Sequence, residues 1–154
     1  MRIYLVQHGK SMSKDQDPEK SLSDQGKEDS IKIAQVAKMY KIRVSQILHS
    51  GKKRAEQTAL VYHTYLDPEK KCAMIDGIAP MDDVKIFAQN LDQSSDILFV
   101  GHLPFMEKLV SYLTTGSENN IVFKFQNSGI VCLEKKTDDI AGWYIKWALM
   151  PQID

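Results

Sequence analysis

Two histidines and one arginine lie where predicted strands end. His8 follows the apolar run 3–6, His102 follows the run 97–100, and Arg54 stands in the turn after another such run. Ligands of open parallel sheets bind at the carboxyl ends of the strands, so we expect these three side chains to converge. An imidazole can act as a nucleophile, and a guanidinium binds oxyanions. The pattern therefore predicts an anion site that contains a nucleophile.

The first turn of the helix that carries Arg54 is strongly cationic. Lys52 and Lys53 precede Arg54 directly. Three cations oppose the helix dipole unless the turn is well solvated or an anion docks there. The chain has no G-x-x-x-x-G-K-[ST] run, which excludes a nucleotide-binding P-loop. From the residues alone, two interpretations of this turn remain open. It either binds a phosphate-sized anion or is a solvated helix end without a ligand.

Short β-branched runs alternate with helical periodicities, which is typical of a mostly parallel α/β sheet. Strands are predicted at residues 3–6, 44–48, 72–75 and 97–100, followed by antiparallel strands at 121–125, 130–133 and 143–149. Helices are predicted after Ser23 (with Ile33, Ala34, Ala37 and Tyr40 buried), from about Lys53, around 84–91 and after Pro104. We expect a three-layer α/β/α sandwich that forms one domain over residues 1–154.

The composition excludes several classes of partner. Lys plus Arg and Asp plus Glu each total 20, so no basic excess indicates nucleic-acid binding. The longest apolar runs have four or five residues, too few to span a membrane, and the first apolar run reaches a polar loop too early for the signal peptide that secretion would need, so we expect none. Cys72 and Cys132 lack metal-ligand spacing and are expected to be reduced core residues. These features predict a cytoplasmic protein without a nucleic-acid or membrane partner.

Three motifs appear in the order known from one superfamily. Residues 7–9 (Gln-His-Gly) resemble the Arg-His-Gly signature of the histidine phosphatase superfamily, whose fold is phosphoglycerate mutase-like. Residues 50–59 resemble its second motif, Ser-Pro-x-x-Arg-Ala-x-Gln-Thr, and residues 101–104 are similar to its third. The short chain, the Leu-Ser-x-x-Gly segment at 22–26 and the Gly-His-Leu-Pro run point to the SixA-like phosphohistidine phosphatases.

The resemblance implies a role for each matching residue. His8 would attack phosphorus and form a phosphohistidine, Arg54 would hold phosphoryl oxygens, and His102 would stabilise the developing charge. Water would then hydrolyse phospho-His8, and no metal or other cofactor is needed. The residues that would bind phosphate beside them are Gln7, Gly9 and Lys20.

Two of these positions depart from the superfamily pattern. Gln7 replaces an arginine, so it keeps a hydrogen-bond donor but brings no charge. Lys20 replaces another arginine, which keeps the charge but loses the planar fork. Carboxylates stand where larger members place a general acid, although turn or helix-cap roles are the favoured interpretation for all of them: Asp76, Asp82 and Asp83.

The predicted function is a phosphohistidine phosphatase that acts on a phosphohistidine-bearing phosphorelay protein. An imidazole leaving group has a conjugate acid near pKa ~6.5, so such a substrate needs little help from a general acid. Only 47 residues separate Arg54 from His102, which leaves little chain for a lid. The alternatives are a small-molecule phosphomonoesterase and a catalytically silent module that binds phosphate or phosphoprotein, in which Gln7 marks lost catalysis.

Overall fold

The structure is a computed structural model in which residues 1–153 are described. These residues form six strands and four helices that alternate along most of the chain. Their bounds are β1 (Arg2–Gln7), α1 (Asp24–Met39), β2 (Gln46–His49), α2 (Lys53–Leu66), β3 (Ala73–Met74), α3 (Val84–Gln89), β4 (Ile97–Gly101), α4 (Phe105–Thr115), β5 (Ile130–Lys135) and β6 (Trp143–Leu149).

All six strands belong to one mixed sheet of order β3-β2-β4-β1-β5-β6. The first four strands in that order run parallel, β5 is antiparallel to β1, and β6 is antiparallel to β5. Gln7 pairs with Gly101 in the register of β1 and β4, and the next amide, that of His8, donates to the Gly101 carbonyl at 3.0 Å. Both strands therefore end at the same edge of the sheet, which places His8 beside His102.

Helices cover both faces of this sheet. Ile3 and Leu5 of β1 belong to a core cluster with α3 and α4, whereas Tyr4 and Val6 belong to a second cluster with α1 and α2. This alternation follows from the two-residue side-chain period of a strand. The predicted three-layer α/β/α sandwich with antiparallel C-terminal strands is confirmed.

Helix α1 begins as predicted but ends earlier than its apolar pattern indicates. The Ser23 side chain accepts from the Gly26 amide at 3.1 Å and caps the helix. Ile33, Ala34 and Ala37 are buried as predicted, but the prediction for Tyr40 is wrong, because that residue is 73% exposed. Tyr40 is the C-cap, so it no longer follows the helical period that buries the other three.

The predicted strand at 121–125 does not form. Its alternating apolar pattern comes from Phe123 and Phe125, whose rings meet edge to face with centroids 5.1 Å apart and pack against the α3–α4 side of the core. The Phe125 amide donates to the buried Glu107 carboxylate of α4 at 3.2 Å instead of to a strand. A side chain thus satisfies the backbone that a ladder would have paired.

Two further predictions concern the membrane and the cysteines. Within residues 1–153, no helix has the length and the apolar character that crossing a membrane requires. Cys132 is buried in β5 and Cys72 is partly buried before β3, and both are free thiols. Burial raises the pKa of Cys132 to about 11, so this thiol stays protonated and behaves as a small apolar core group.

Candidate active site

The structure brings His8, Arg54 and His102 together at the carboxyl edge of the parallel strands. The ring centroids of the two histidines are 4.9 Å apart, and the ring planes meet at 52°. The Arg54 side chain, from the first turn of α2, places Nε 3.2 Å from Nε2 of His8. This convergence arises because β1 and β4 are neighbours in the centre of the sheet. His8 and His102 directly follow these two strands, so they lie at the same edge of the sheet, where α2 also begins.

Hydrogen-bond partners define the tautomer of His8. Nδ1 lies 2.7 Å from the Gly9 carbonyl oxygen, which can only accept, so Nδ1 carries the proton. Nε2 therefore has the lone pair, and it accepts from Nε of Arg54. Burial lowers the His8 pKa to about 4, a shift that the Gly9 hydrogen bond opposes and the charges of Arg54 and Lys20 increase. At neutral pH the ring is uncharged and Nε2 is available as a nucleophile.

His102 is more deeply enclosed than His8. It is 1% exposed, and its Nε2 lies 2.6 Å from the Ser50 hydroxyl oxygen. Burial and then the neighbouring charges, including those of Arg54 and Lys52, lower its pKa to about 3. Its Nδ1 is buried without a hydrogen-bond partner within the described residues. His102 is thus a neutral ring with one nitrogen held by Ser50 and unused hydrogen-bonding capacity on the other.

Two polar side chains fix the backbone around His8. Thr58 Oγ1 accepts from the Gly9 amide at 2.9 Å and donates to the Arg54 carbonyl at 2.8 Å, which couples the His8 loop to α2. Asn127 Nδ2 donates to the His8 carbonyl at 2.9 Å. Neither contact is predicted from the sequence, although Thr58 lies within the second motif at residues 50–59.

The three residues expected to bind phosphate differ in their burial and in the partners that they contact. Gln7 is 9% exposed, and its Oε1 is buried with no partner in residues 1–153. The Gly9 amide is already paired with Thr58, and a Cβ at Gly9 would lie 2.9 Å from both the Gly26 carbonyl oxygen and the Ser30 hydroxyl. Close packing therefore explains the glycine in this structure, and its contact with phosphate stays a prediction.

Lys20 is half-buried and lines an open depression of about 500 Å³ together with Arg54, Lys52 and Lys53. Two carboxylates also line it, so positive charge predominates. Lys52 is the N-cap of α2 and makes no side-chain capping bond. An anion in this depression would meet unpaired helix amides and several cations, which is favourable for phosphate.

Two of the three candidate general acids occupy structural positions. Asp82 accepts from the Ala79 amide at 2.8 Å, and Asp83 caps α3 by accepting from the Lys85 and Ile86 amides. These contacts agree with the favoured turn and cap interpretation. Asp76 is exposed in the loop after β3. Among the residues that the structure describes, no group of three or more His, Cys, Asp or Glu could hold a metal ion.

Comparison with known proteins establishes the fold. No protein-family model and no curated protein sequence matches the chain. The protein histidine phosphatase SixA in complex with tungstate aligns over 98% of this chain and 97% of its own, with 21% identity and a TM-score of 0.79. The proposed phosphohistidine phosphatase SixA of Agrobacterium tumefaciens aligns over 97% of both chains, with 20% identity and a TM-score of 0.79.

A third similar structure is a mutant of phosphoserine phosphatase from Entamoeba histolytica in complex with phosphoserine. It aligns over 98% of both chains, with 14% identity and a TM-score of 0.69. These three structures share the fold that the motif resemblance implies, and the fold prediction is thus confirmed. At these identities the likeness defines the architecture and not the reaction.

Proposed function

We propose that this protein is a phosphatase that transfers a phosphoryl group to Nε2 of His8 and then to water. The observation that carries the proposal is the defined tautomer of His8, with Nδ1 donating to Gly9 and Nε2 left as a neutral nucleophile beside Arg54. A nucleophile with an adjacent fixed cation is the arrangement that phosphoryl transfer through an enzyme intermediate needs.

The reaction follows from the contacts of these side chains. Nε2 forms a bond to phosphorus while the bond from phosphorus to the leaving group breaks, and solvent supplies the proton that the leaving group takes up. Arg54 exchanges its hydrogen bond to Nε2 for one to a phosphoryl oxygen, and neutral His102 supplies an N–H donor. A water molecule then attacks phosphorus, which releases inorganic phosphate and restores the His8 lone pair.

A phosphohistidine on a phosphorelay protein domain is the substrate that we propose. Asp82 and Asp83 already bind backbone amides, so neither is free to act as an acid, and imidazole is a leaving group that needs little acid assistance. The depression beside Arg54 is open, and α2, β3, α3 and β4 take up about half of the 47 residues between Arg54 and His102. A phosphorylated side chain presented on a folded cytoplasmic protein would have access. Tungstate, which one similar structure holds, is a tetrahedral oxyanion like phosphate.

A small-molecule phosphomonoesterase is the second candidate. The similar fold of a phosphoserine phosphatase in complex with phosphoserine supports it, because this architecture accommodates small phosphate esters without a larger domain. A silent phosphate-binding module is the third alternative, and the neutral Gln7 next to the nucleophile is the feature that favours it.

Phosphate release from matched substrates separates these functions. Wild-type protein and His8→Ala are incubated with a phosphohistidine-bearing phosphotransfer domain, with phosphoserine and with a sugar phosphate, and kcat/KM is measured for each. We expect the phosphotransfer domain to be preferred, His8→Ala to be inactive, and an alkaline quench to trap acid-labile phosphate on His8. Preference for a small ester would favour the second candidate, and phosphate binding without turnover would favour the third.

A further inference from the structure

A second cavity, of about 620 Å³, lies at the opposite edge of the sheet from His8. Arg2 and Tyr4, from the beginning of β1, line it, whereas His8 follows the other end of that strand. The loop between α1 and β2 and the side chain of Trp147 from β6 complete the wall. The volume falls in the range of about 300–1,000 Å³ that is usual for small-molecule sites. No residue of the cavity belongs to the candidate active site.

Aromatic side chains give this cavity its character. Tyr4 is 3% exposed and packs behind Trp147, with the ring centroids 5.9 Å apart and the planes at 46°. Trp147 is only partly buried, so Tyr4 supports it on one side while the indole still lines the cavity. Tyr40, the exposed residue at the end of α1, lines it as well. A supported indole next to an open volume is suited to stacking a planar ring.

The charges around the cavity are positive and partly uncompensated. Arg2 pairs with Glu134 at 2.7 Å, whereas Asp96 keeps one negative charge at the wall, because the Arg2 amide that donates to it at 2.8 Å is neutral. Lys41 and Arg43 also line the cavity, and neither forms an ion pair within residues 1–153. Two cations beside an aromatic wall favour a ligand that is itself negatively charged.

The backbone at Lys41 is a second, independent peculiarity of the same wall. Lys41 has φ +56°, and its amide and that of Ile42 donate to the carbonyls of Lys38 and Ala37 at 2.9 and 3.1 Å. These bonds define a Schellman motif, in which the left-handed position is usually glycine. The two cap hydrogen bonds hold Lys41 in this conformation and so fix its position in the cavity wall.

We propose that this cavity binds a heteroaromatic anion of mononucleotide size. Its ring stacks on Trp147, and its anionic group pairs with Lys41 and Arg43. The proposal does not depend on the reaction at His8, because the two sites lie at opposite edges of the sheet.

Calorimetric titration with 3′,5′-cyclic AMP tests this proposal. This probe is a heteroaromatic phosphodiester, so a phosphomonoesterase would not consume it. Adenosine and inorganic phosphate are titrated in parallel to separate the ring from the charge. We expect cyclic AMP to bind about tenfold or more tightly than adenosine, because charge-assisted hydrogen bonds add to stacking. Absence of cyclic AMP binding, or equal affinity for adenosine, would overturn the proposal.

Fluorescence locates the bound probe. The chain has two tryptophans, and Trp143→Phe leaves Trp147 as the only one. Trp143 is buried in the other core cluster, so this substitution leaves the cavity wall unchanged. Cyclic AMP should quench Trp147, whereas inorganic phosphate should not. Quenching by phosphate alone, or calorimetric binding without quenching, would place the ligand elsewhere and refute the assignment.

Charge reversal supplies the matched variants. Arg43→Glu should weaken cyclic AMP binding about tenfold or more, while Lys85→Glu, which reverses an exposed cation on α3 across the sheet, should not change it. Phosphatase activity should be the same in both variants, so this result is independent of the His8 reaction. Equal binding by Arg43→Glu and Lys85→Glu would show that Arg43 does not hold the anion.

Discussion

The buried histidines make the stability of this protein sensitive to mild acid. Burial lowers the His8 pKa from 6.5 to about 4, so between these values the unfolded chain binds a proton that the folded chain does not. The stability is therefore intact above pH ~6.5 and is lost progressively as the pH falls towards ~4. Carboxylates titrate mainly below this window, so a comparison of pH 7 with pH 5 isolates histidines.

The expected loss of unfolding free energy follows directly from the shift in the His8 pKa. One pKa unit corresponds to about 1.4 kcal/mol, so the full His8 shift corresponds to about 3 kcal/mol, of which about 2 kcal/mol is lost between pH 7 and pH 5. His102, whose pKa lies at about 3, acts in the same direction. A typical domain is stable by only about 5–15 kcal/mol, so this effect is large enough to measure.

Urea unfolding followed by circular dichroism measures the effect at both pH values. His8→Gln replaces the imidazole with a group that does not titrate, so its loss of unfolding free energy from pH 7 to pH 5 should be about 2 kcal/mol smaller than that of wild type. His63→Gln removes a histidine outside the site and serves as the comparison. An equal pH dependence for His8→Gln and wild type would show that His8 is not held neutral by its surroundings.

Three further predictions concern the reaction. Arg54→Ala should lose about 2–4 kcal/mol of transition-state stabilisation in kcat/KM, and a loss below tenfold would mean that Arg54 is a surface cation. Ser50→Ala removes the hydrogen bond to His102 and should lower kcat about tenfold with unchanged thermal unfolding, whereas unchanged kcat would exclude a positioning role. Gln7→Arg adds a charged donor and should tighten vanadate binding in equilibrium titrations. Weaker or unchanged binding would identify Gln7 as an adapted part of the site.

The sequence predicts the layers of this fold well because two periodicities dominate it. The alternating faces of β1 and the apolar stripe of α1 both follow from burial on a sheet. The errors arise where a helix end or a side-chain contact competes with the periodic pattern. Tyr40 continues the apolar stripe in sequence but lies beyond the helix end, and residues 121–125 alternate like a strand although Glu107 binds their backbone. Neither competition is visible without the tertiary contacts.

The position of the site is also accessible from the sequence, but its supporting contacts are not. His8 and His102 each follow a strongly apolar strand, so the topology alone brings them to one edge. Each supporting contact joins two residues that lie 49 to 119 positions apart along the chain, and the supporting side chains are those of Ser50, Thr58 and Asn127. Small polar residues of this kind resemble ordinary turn and helix residues until the backbone partners are known. The hydrogen bonds of Thr58 and Asn127 nevertheless determine where the His8 loop lies.

In the proposed reaction, the neutral residue Gln7 is expected to affect phosphate affinity more than the chemical step. A donor that holds phosphoryl oxygens equally in the substrate, the phosphohistidine intermediate and released phosphate lowers all three states together, which changes KM but not kcat. Arg54 would differ in the proposed reaction, because its hydrogen bond to Nε2 of His8 must be exchanged for one to the phosphoryl group during the attack. Loss of a charge at position 7 therefore weakens phosphate retention while the attacking atom and its cation stay in place. A protein substrate that gains contacts away from the phosphate would tolerate such weaker retention. A metabolite bound mainly through its phosphate would lose most of its affinity.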